Sequence, residues 1–350
     1  MRTAPLVLPS LTSGLDETWL ALTQEEILEP DLPICDPHHH LWKRPEQRYL
    51  LDEFLADAGS GHRIDSTVFL ECGASYRADG PVEMRSVGEA EFVSNIAALS
   101  ASGNYGSTRV AAAFVGFADL TLGARAESVL TALIDAGRGR FRGVRYSAAR
   151  DDSFVIGSSH DRPPAGLYLD PIFRQGFACL GRLGLTFDAW VYHPQIPEVI
   201  DLARAFPAQP IVLNHVGGPI GVGPYTGRRE AEFPTWERAM RALAACDNVF
   251  VKLGALGSKR AGFGWHEQPA PPSSAALATA WRPYIDTCIA AFGPERCMFE
   301  SNFPVDKVSC SYAVLWNAFK RLAAGYSEHE KAALFSQTAR RFYQINASPG

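Results

Sequence analysis

The sequence lacks any C-x-x-C pair. Its seven cysteines, at positions 35, 72, 179, 246, 288, 297 and 310, are odd in number and scattered. That excludes a disulfide framework or a zinc ribbon and fits free thiols in a reducing compartment. Runs of Lys and Arg are absent too. The balance of 33 basic against 38 acidic residues gives a net charge of −5, which argues against nucleic acid as a partner. No apolar run approaches the ~18 residues of a membrane span. The opening M-R-T-A-P-L-V-L-P-S holds only a short, proline-broken apolar run and makes a poor signal peptide. A cytoplasmic protein acting on a small molecule is expected, with self-association left open. Finally, no G-x-G-x-x-G or G-x-x-x-x-G-K follows an apolar run. The usual reasons for an open doubly wound sheet are therefore missing.

What the chain does have is alternation. Of its 350 residues, 47% are hydrophobic, enough for one large core. Short apolar runs occur at Ile34–Asp36, Ser66–Gly73, Val110–Phe117, Phe141–Ser147, Leu185–Tyr192, Pro210–Val216, Asn248–Leu256 and Cys297–Phe303. Amphipathic helical patterns fall between them, among them Val87–Ala101, Ala124–Ala136, Pro197–Phe206, Trp236–Cys246, Ala280–Ala291 and Tyr312–Leu322. Eight strands alternating with helices predict an α/β protein, a single-domain (β/α)8 TIM barrel over residues 34–346. Residues 1–33 read as an N-terminal extension with a helical turn at Thr23–Glu26, and Glu328–Ile345 as a closing helix. Three long Gly- and Pro-rich connections, Ala149–Pro171, Gly217–Pro234 and Gly257–Pro272, each follow a predicted strand. In a barrel they sit on the face that carries chemistry, as binding loops or tolerated insertions; Trp265 and His266 mark the third as a lid.

The strand ends carry an unusual set of side chains. The first reads I-C-D-P-H-H-H-L-W. Alternation in a strand aims His38 and His40 one way, with Asp36 on the same parity, and His39 the other. Imidazole is both a common metal ligand and the natural acid–base group near neutral pH. Glu71 lies inside the apolar run V-F-L-E-C-G, where a carboxylate is costly to bury without a partner. Arg145 and Tyr146 end G-V-R-Y. Arg145 suits bidentate capture of a substrate carboxylate, or else pairs with Glu71. The fifth and sixth strands end in His193 and His215, the seventh holds Lys252, and the eighth carries Glu300 and Asn302 with Asp306 just beyond. One terminal histidine is more often structural. Two on consecutive strands, added to His-x-His on the first, point to a shared site.

These pieces together resemble the amidohydrolase superfamily, on its amidohydrolase-2 branch, the group of lactonases that includes 2-pyrone-4,6-dicarboxylate lactonase and L-fuconolactonase. The motifs D-P-H-H-H-L-W, V-F-L-E-C-G, G-V-R-Y, F-D-A-W-V-Y-H-P-Q, V-L-N-H-V-G-G-P and M-F-E-S-N-F-P-V-D carry the likeness and span Ile34 to Asp306. The resemblance implies a (β/α)8 barrel that hydrolyses at a carbonyl, most often a lactone. It implies His38, His40, His193 and His215 as ligands of zinc or another divalent metal, with metal-independent catalysis left open. Glu71, Arg145, Tyr146, Lys252 and Glu300 would then face the substrate. One position departs from the family: Asn302 stands where it has a metal-binding, proton-accepting Asp. An amide accepts no proton at neutral pH, so the base falls to Asp306, Glu300 or a histidine. The alternatives are a zinc-dependent non-oxidative decarboxylase of an aromatic or unsaturated acid, and a degenerate barrel that binds a small molecule without catalysis.

Overall fold

The computed structural model describes residues 15–45, 47–153, 156 and 163–346. All eight apolar runs form strands: β1 Ile34–His39, β2 Ile64–Leu70, β3 Arg109–Gly116, β4 Phe141–Ser147, β5 Thr186–Trp190, β6 Ile211–Leu213, β7 Val249–Leu253 and β8 Cys297–Phe299. They pair in parallel and in chain order, β1 against β2 through to β7 against β8. A helix follows each strand: α1 Leu51–Ala58, α2 Val87–Ser100, α3 Ala126–Ala136, α4 Pro171–Arg182, α5 Ile196–Ala205, α6 Arg229–Ala244, α7 Ser274–Phe292 and α8 Tyr312–Leu322. The fold is a (β/α)8 barrel. Among the described residues no helix is long and apolar enough to cross a membrane.

Alternation along each strand divides the core in two. Ile34, Phe69, Phe114, Phe187, Leu213, Val251 and Phe299 face the helices in one large apolar cluster. Cys35, Val68, Ala113, Val115, Val212 and Met298 fill the barrel interior. The chain's end plugs that interior from below with Phe342, Tyr343 and Ile345. Each such large apolar side chain contributes about 1.5–3 kcal/mol on burial.

The boundaries differ from expectation in instructive places. Helix α6 begins at Arg229 and runs through Pro234, and α7 begins at Ser274, where the Ser273 side chain accepts from Ala276 N. Both helices start earlier than their apolar pattern: the first turn of α6 faces solvent, and that of α7 opens on the small, buried Ser274 behind its Ser273 cap. The helical turn expected at Thr23–Glu26 is absent. A one-turn helix lies instead at Glu17–Leu20, capped by Asp16. The closing helix is interrupted by a π-helical turn at Ala333–Gln337 and ends at Phe342. Residues 15–33 of the extension are strapped to the barrel; residues 1–14 lie outside the described residues. Trp19 Nε1 donates to Gln268 O at 2.9 Å, and Lys320 Nζ donates to Leu28 O and Glu29 O at 2.8 and 2.7 Å. The long connections after β4, β6 and β7 bind one another: Gly221 N donates to Arg260 O, Arg260 Nε to Ile156 O and Arg229 Nη2 to Ala261 O. Residues 154, 155 and 157–162 of the first connection lie outside the described residues. Trp265, expected on a lid, is half-buried and stacks on Phe263.

Closure of the barrel falls to the seam between β1 and the end of β8. The backbone contributes little there: His40 N donates to Phe303 O and Asn302 N to His38 O, both at 2.8 Å. A side chain completes the seam. Asp36, fully buried, accepts from Ser301 N at 3.0 Å, Ser301 Oγ at 2.5 Å, Tyr312 Oη at 2.9 Å and His38 N at 3.3 Å. Burial pushes its carboxyl up to about 6, and these donors pull the other way, toward the ionised form. Asp36→Ala leaves buried donors unmatched and is expected to lower unfolding free energy by about 2–4 kcal/mol, with Tyr312→Phe costing about 1 kcal/mol. Denaturant unfolding of both variants measures this. A loss below about 0.5 kcal/mol in Asp36→Ala, the scatter of neutral surface changes, would show that the backbone closes the seam unaided.

Candidate active site

At the C-terminal ends of the strands a single carboxylate holds two imidazoles. Glu300 Oε2 lies 2.7 Å from His38 Nδ1, and Glu300 Oε1 lies 2.7 Å from His215 Nδ1. His215 N donates to Oε1 as well, at 3.0 Å. The two rings stand 4.5 Å apart between centroids, and His40 is 5.0 Å from His38. His40 Nδ1 is in turn 2.8 Å from Leu70 O. Burial drives all three imidazoles below their ordinary range, helped at His38 by Lys252 and at His40 and His215 by Arg145. They are neutral near pH 7. With Nδ1–H spent on an acceptor, His40 and His215 keep their lone pairs at Nε2, while His38 Nδ1 lies between Glu300 Oε2 and the donor Lys252 Nζ.

His215 reaches this cluster through its backbone. Val212 and Asn214 face the interior, so simple alternation would send His215 outward. It takes φ +61° instead, and Val216 follows at +46°, which swings the ring inward. Left-handed backbone at a non-glycine residue costs of order 1–3 kcal/mol and gathers at functional sites. Ala255 and Asn302, at φ +60° and +55° beyond β7 and β8, share it.

Beneath the histidines lies a column of buried charge. Lys252 Nζ is 2.7 Å from Asp188 Oδ1, donates to Pro37 O at 2.9 Å and stands 3.4 Å from His38 Nδ1. Asp188 also accepts from Asn214 Nδ2 at 3.0 Å and from Tyr343 Oη at 2.9 Å. Asp188, Asn214 and Tyr343 were not expected in the site. Asp188 gave the same signal as Glu71, a carboxylate inside an apolar strand. On the other flank Arg145 Nε donates to Glu71 Oε1 at 2.6 Å and Nη2 to Glu71 O at 2.5 Å. Of the two readings of Arg145, its fork takes the ion pair. Its Nη1 remains 3.3 Å from His38 Nε2.

Three expectations need correction. The four imidazoles do not form one cluster. His193 lies in the 3₁₀ turn His193–Gln195 past the end of β5, where strand alternation no longer applies. Its Nδ1 accepts from Ile220 N at 3.3 Å and its Nε2 faces Glu232 at 3.9 Å. Tyr146 is turned away from the interior because its neighbour Arg145 points in. Its ring packs on Phe117 and Phe173, and Tyr168 Oη donates to its carbonyl. Glu300 and Lys252, expected against substrate, are fully buried and hold other side chains. Asn302 and Asp306 are buried side by side: Asn302 Nδ2 donates to Asp306 Oδ1 at 2.8 Å, and burial pushes the Asp306 carboxyl up to about 8.

The donor set fits a divalent ion. Among the described residues, ligand atoms of His38, His215 and Glu300 lie within 4.8 Å of one another. Zinc sites combine imidazole and carboxylate in this way, and metal-binding histidines anchor their second nitrogen on a carboxylate or a carbonyl, as these do. Charge agrees. The cations Arg145 and Lys252 face three carboxylates, Glu71, Asp188 and Glu300. Burial pushes Glu300, shared between neutral imidazoles, up to about 8, where an added cation would hold it ionised.

Both partners of the Arg145–Glu71 pair are almost wholly buried. Arg145→Met is therefore expected to lower unfolding free energy by about 3–5 kcal/mol, because it strands a carboxylate in the core. Chemical denaturation tests this; near-native stability with a raised KM would instead return Arg145 to substrate capture.

The amidohydrolase family profile matches residues 35–345. An uncharacterised Sinorhizobium fredii protein, y4mH, is 32% identical over 90% of this chain and 99% of its own. An L-fucono-1,5-lactonase of Burkholderia multivorans is 29% identical over 50% of this chain and 57% of its own. Among solved structures, a Burkholderia multivorans amidohydrolase with bound zinc superposes with a TM-score of 0.67, at 25% identity over 89% of this chain and 99% of that one. Barrel, strand-end chemistry and likeness agree: the chain belongs to the amidohydrolase family, on its amidohydrolase-2 branch, and is a hydrolase of that superfamily.

Proposed function

We propose that this chain opens the ester ring of a small polyhydroxylated or carboxylated lactone by adding water to its carbonyl. The observation that carries the reading is Glu300 Oε1 accepting from the Nδ1–H of the buried, neutral His215 at 2.7 Å, with Oε2 standing 2.7 Å from His38 Nδ1. A carboxylate–imidazole pair of this kind makes the far nitrogen a better acceptor. The relation to a named L-fucono-1,5-lactonase supports a lactone as the ester.

In this mechanism His215 Nε2 takes a proton from the attacking water as its oxygen bonds to the carbonyl carbon. The ring C–O bond then breaks, and the same imidazolium returns its proton to the departing alkoxide, giving a hydroxy acid. Glu300 stabilises the charge on His215 between these steps. Arg145, beside His38 Nε2, offers fixed positive charge to the developing oxyanion. Trp190, edge-on to His215 at 4.5 Å between ring centroids, and Trp42, stacked on His40, form apolar walls for a ring-shaped substrate. His38, His40 and His215, with Glu300, would hold a divalent ion, zinc before others; His215 would then be a ligand, and the base role of its Nε2 belongs to the metal-free form. Such an ion supplies Lewis-acid polarisation of the carbonyl when bound.

Two measurements decide. On a panel of aldonolactones and carboxylated lactones, the wild type should release one acid equivalent per ester opened. His215→Ala should lose about 10²–10⁴ in kcat. Carbon dioxide released from an aromatic acid, with every lactone inert, would replace hydrolysis by decarboxylation. Elemental analysis should find up to one divalent ion per chain, lost when His38 and His215 are both changed to Ala. Full activity in metal-free protein would remove the metal and leave the imidazole chemistry standing.

A further inference from the structure

Asn302 has an unmatched acceptor. Its side chain is 3% exposed, and among the described residues its Oδ1 has no hydrogen-bond partner. Its other end is tied down. Nδ2 donates to Asp306 Oδ1 at 2.8 Å, while the backbone N donates to His38 O at 2.8 Å. A buried amide oxygen without a partner is costly unless something arrives to fill it.

Asp306 determines which way that amide points. In its ionised form, which the hydrogen bonds from Asn302 Nδ2 and Gly257 N favour against burial, the Asp306 carboxylate only accepts, so it selects the NH2 end of Asn302 and sends the carbonyl end the opposite way. The carboxylate is itself fixed: its Oδ2 accepts from Gly257 N at 2.8 Å. Gly257 leaves the room for this, since a Cβ there would meet Asp306 Oδ2 at 2.8 Å. Ser309 Oγ, donating to Gly257 O at 2.5 Å, holds the same residue from the other side. Among the described residues Asp306 pairs with no cation, so charge neutralisation does not account for it.

We infer that Asp306 is a positioning residue that holds the Asn302 carbonyl toward the pocket, where it accepts a hydrogen bond from the attacking water. This rests on the hydrolytic reading above. The amide cannot take the proton. It orients the water while His215 accepts the hydrogen that leaves, so Asn302 directs a lone pair without competing as a base.

The isosteric exchange tests it. In Asp306→Asn, Gly257 N still requires an oxygen, so the new NH2 group faces Asn302 and forces that amide to turn over. The pocket then meets a donor. kcat should fall about a hundredfold with KM within about threefold, the loss typical of one preorganised hydrogen bond. Combining Asp306→Asn with Asn302→Asp restores an acceptor to the pocket and should recover at least about tenfold of that loss. A merely structural Asp306 would show no such rescue. Should Asp306→Asn fail to fold, Gly257→Ala displaces the carboxylate and should give the same fall in kcat. An unchanged kcat in the single variants, or no rescue in the double, overturns the inference. So does a change confined to KM, which would place the amide on a substrate hydroxyl. If no lactone is turned over by the wild type, the hydrolytic reading fails separately. The amide's orientation is then read directly: slow exchange of the Asn302 side-chain amide protons by NMR, lost in Asp306→Asn, supports the positioning role, and fast exchange in the wild type overturns it.

Discussion

Everything at the mouth of this barrel depends on how β1 meets the end of β8. Seven of the eight strand interfaces are ordinary parallel ladders. Among the described residues the eighth has a single bridge, His39 to Phe303, and the two backbone hydrogen bonds His40 N to Phe303 O and Asn302 N to His38 O. Asp36 completes it from a side chain, collecting Ser301 and Tyr312. The residues on either side of that seam are His38 and His40 on one strand and Glu300 and Asn302 on the other. The same closure that makes the sheet a barrel therefore sets the distance between the imidazoles and the carboxylate that holds them. A slip at the seam would cost stability and separate His38 from Glu300 in one step.

The interior is a poor design for stability alone. Lys252, Asp188, Glu71, Arg145 and Glu300 are buried charges, and removing ions from water costs several kcal/mol each before their attraction returns it. Apolar residues of similar volume would stabilise more. The arrangement makes sense as a device for fixing protonation. Arg145 and Lys252 help burial keep the histidines neutral, and Glu300 chooses which ring nitrogen carries the hydrogen. The strained backbone at His215 and Val216 has the same logic: conformational energy is used to aim one ring.

The fold was legible because it rests on local periodicity. Each of the eight apolar runs became a strand, and the partition of Phe187 from Asp188, or Phe299 from Glu300, follows from alternation alone. The site was legible in part. Glu300 follows alternation; His38 does not, because the register of β1 shifts between Asp36 and His39, and neither does His215, since a positive φ at a histidine leaves no mark in the sequence. His193 was overestimated because the strand ends three residues before it, and a strand's last residue is set by its neighbours as much as by itself. Glu71 and Arg145 could be flagged as buried charges, but choosing between a mutual pair and a substrate contact requires their distance. Asp188 shows the opposite lesson: it carried a readable signal and was passed over because it stood one residue off the assumed inward face.

Asn302 follows from the same electrostatics. A carboxylate at that position would stand at the pocket's edge, near the oxygen on which negative charge grows during ester opening. Two unit charges 4 Å apart repel by about 4 kcal/mol at an effective dielectric of 20, and by about half that at twice the distance. Setting the carboxylate at Asp306, behind the amide, draws it back while leaving an oxygen lone pair in front. An Asp at 302 would add a second carboxylate beside Asp306, whereas the amide keeps the charge presented to substrate less negative. That suits an enzyme in which a histidine takes the proton: the group that orients the water need not be basic, and its neutrality favours both a developing oxyanion and a substrate that is itself anionic.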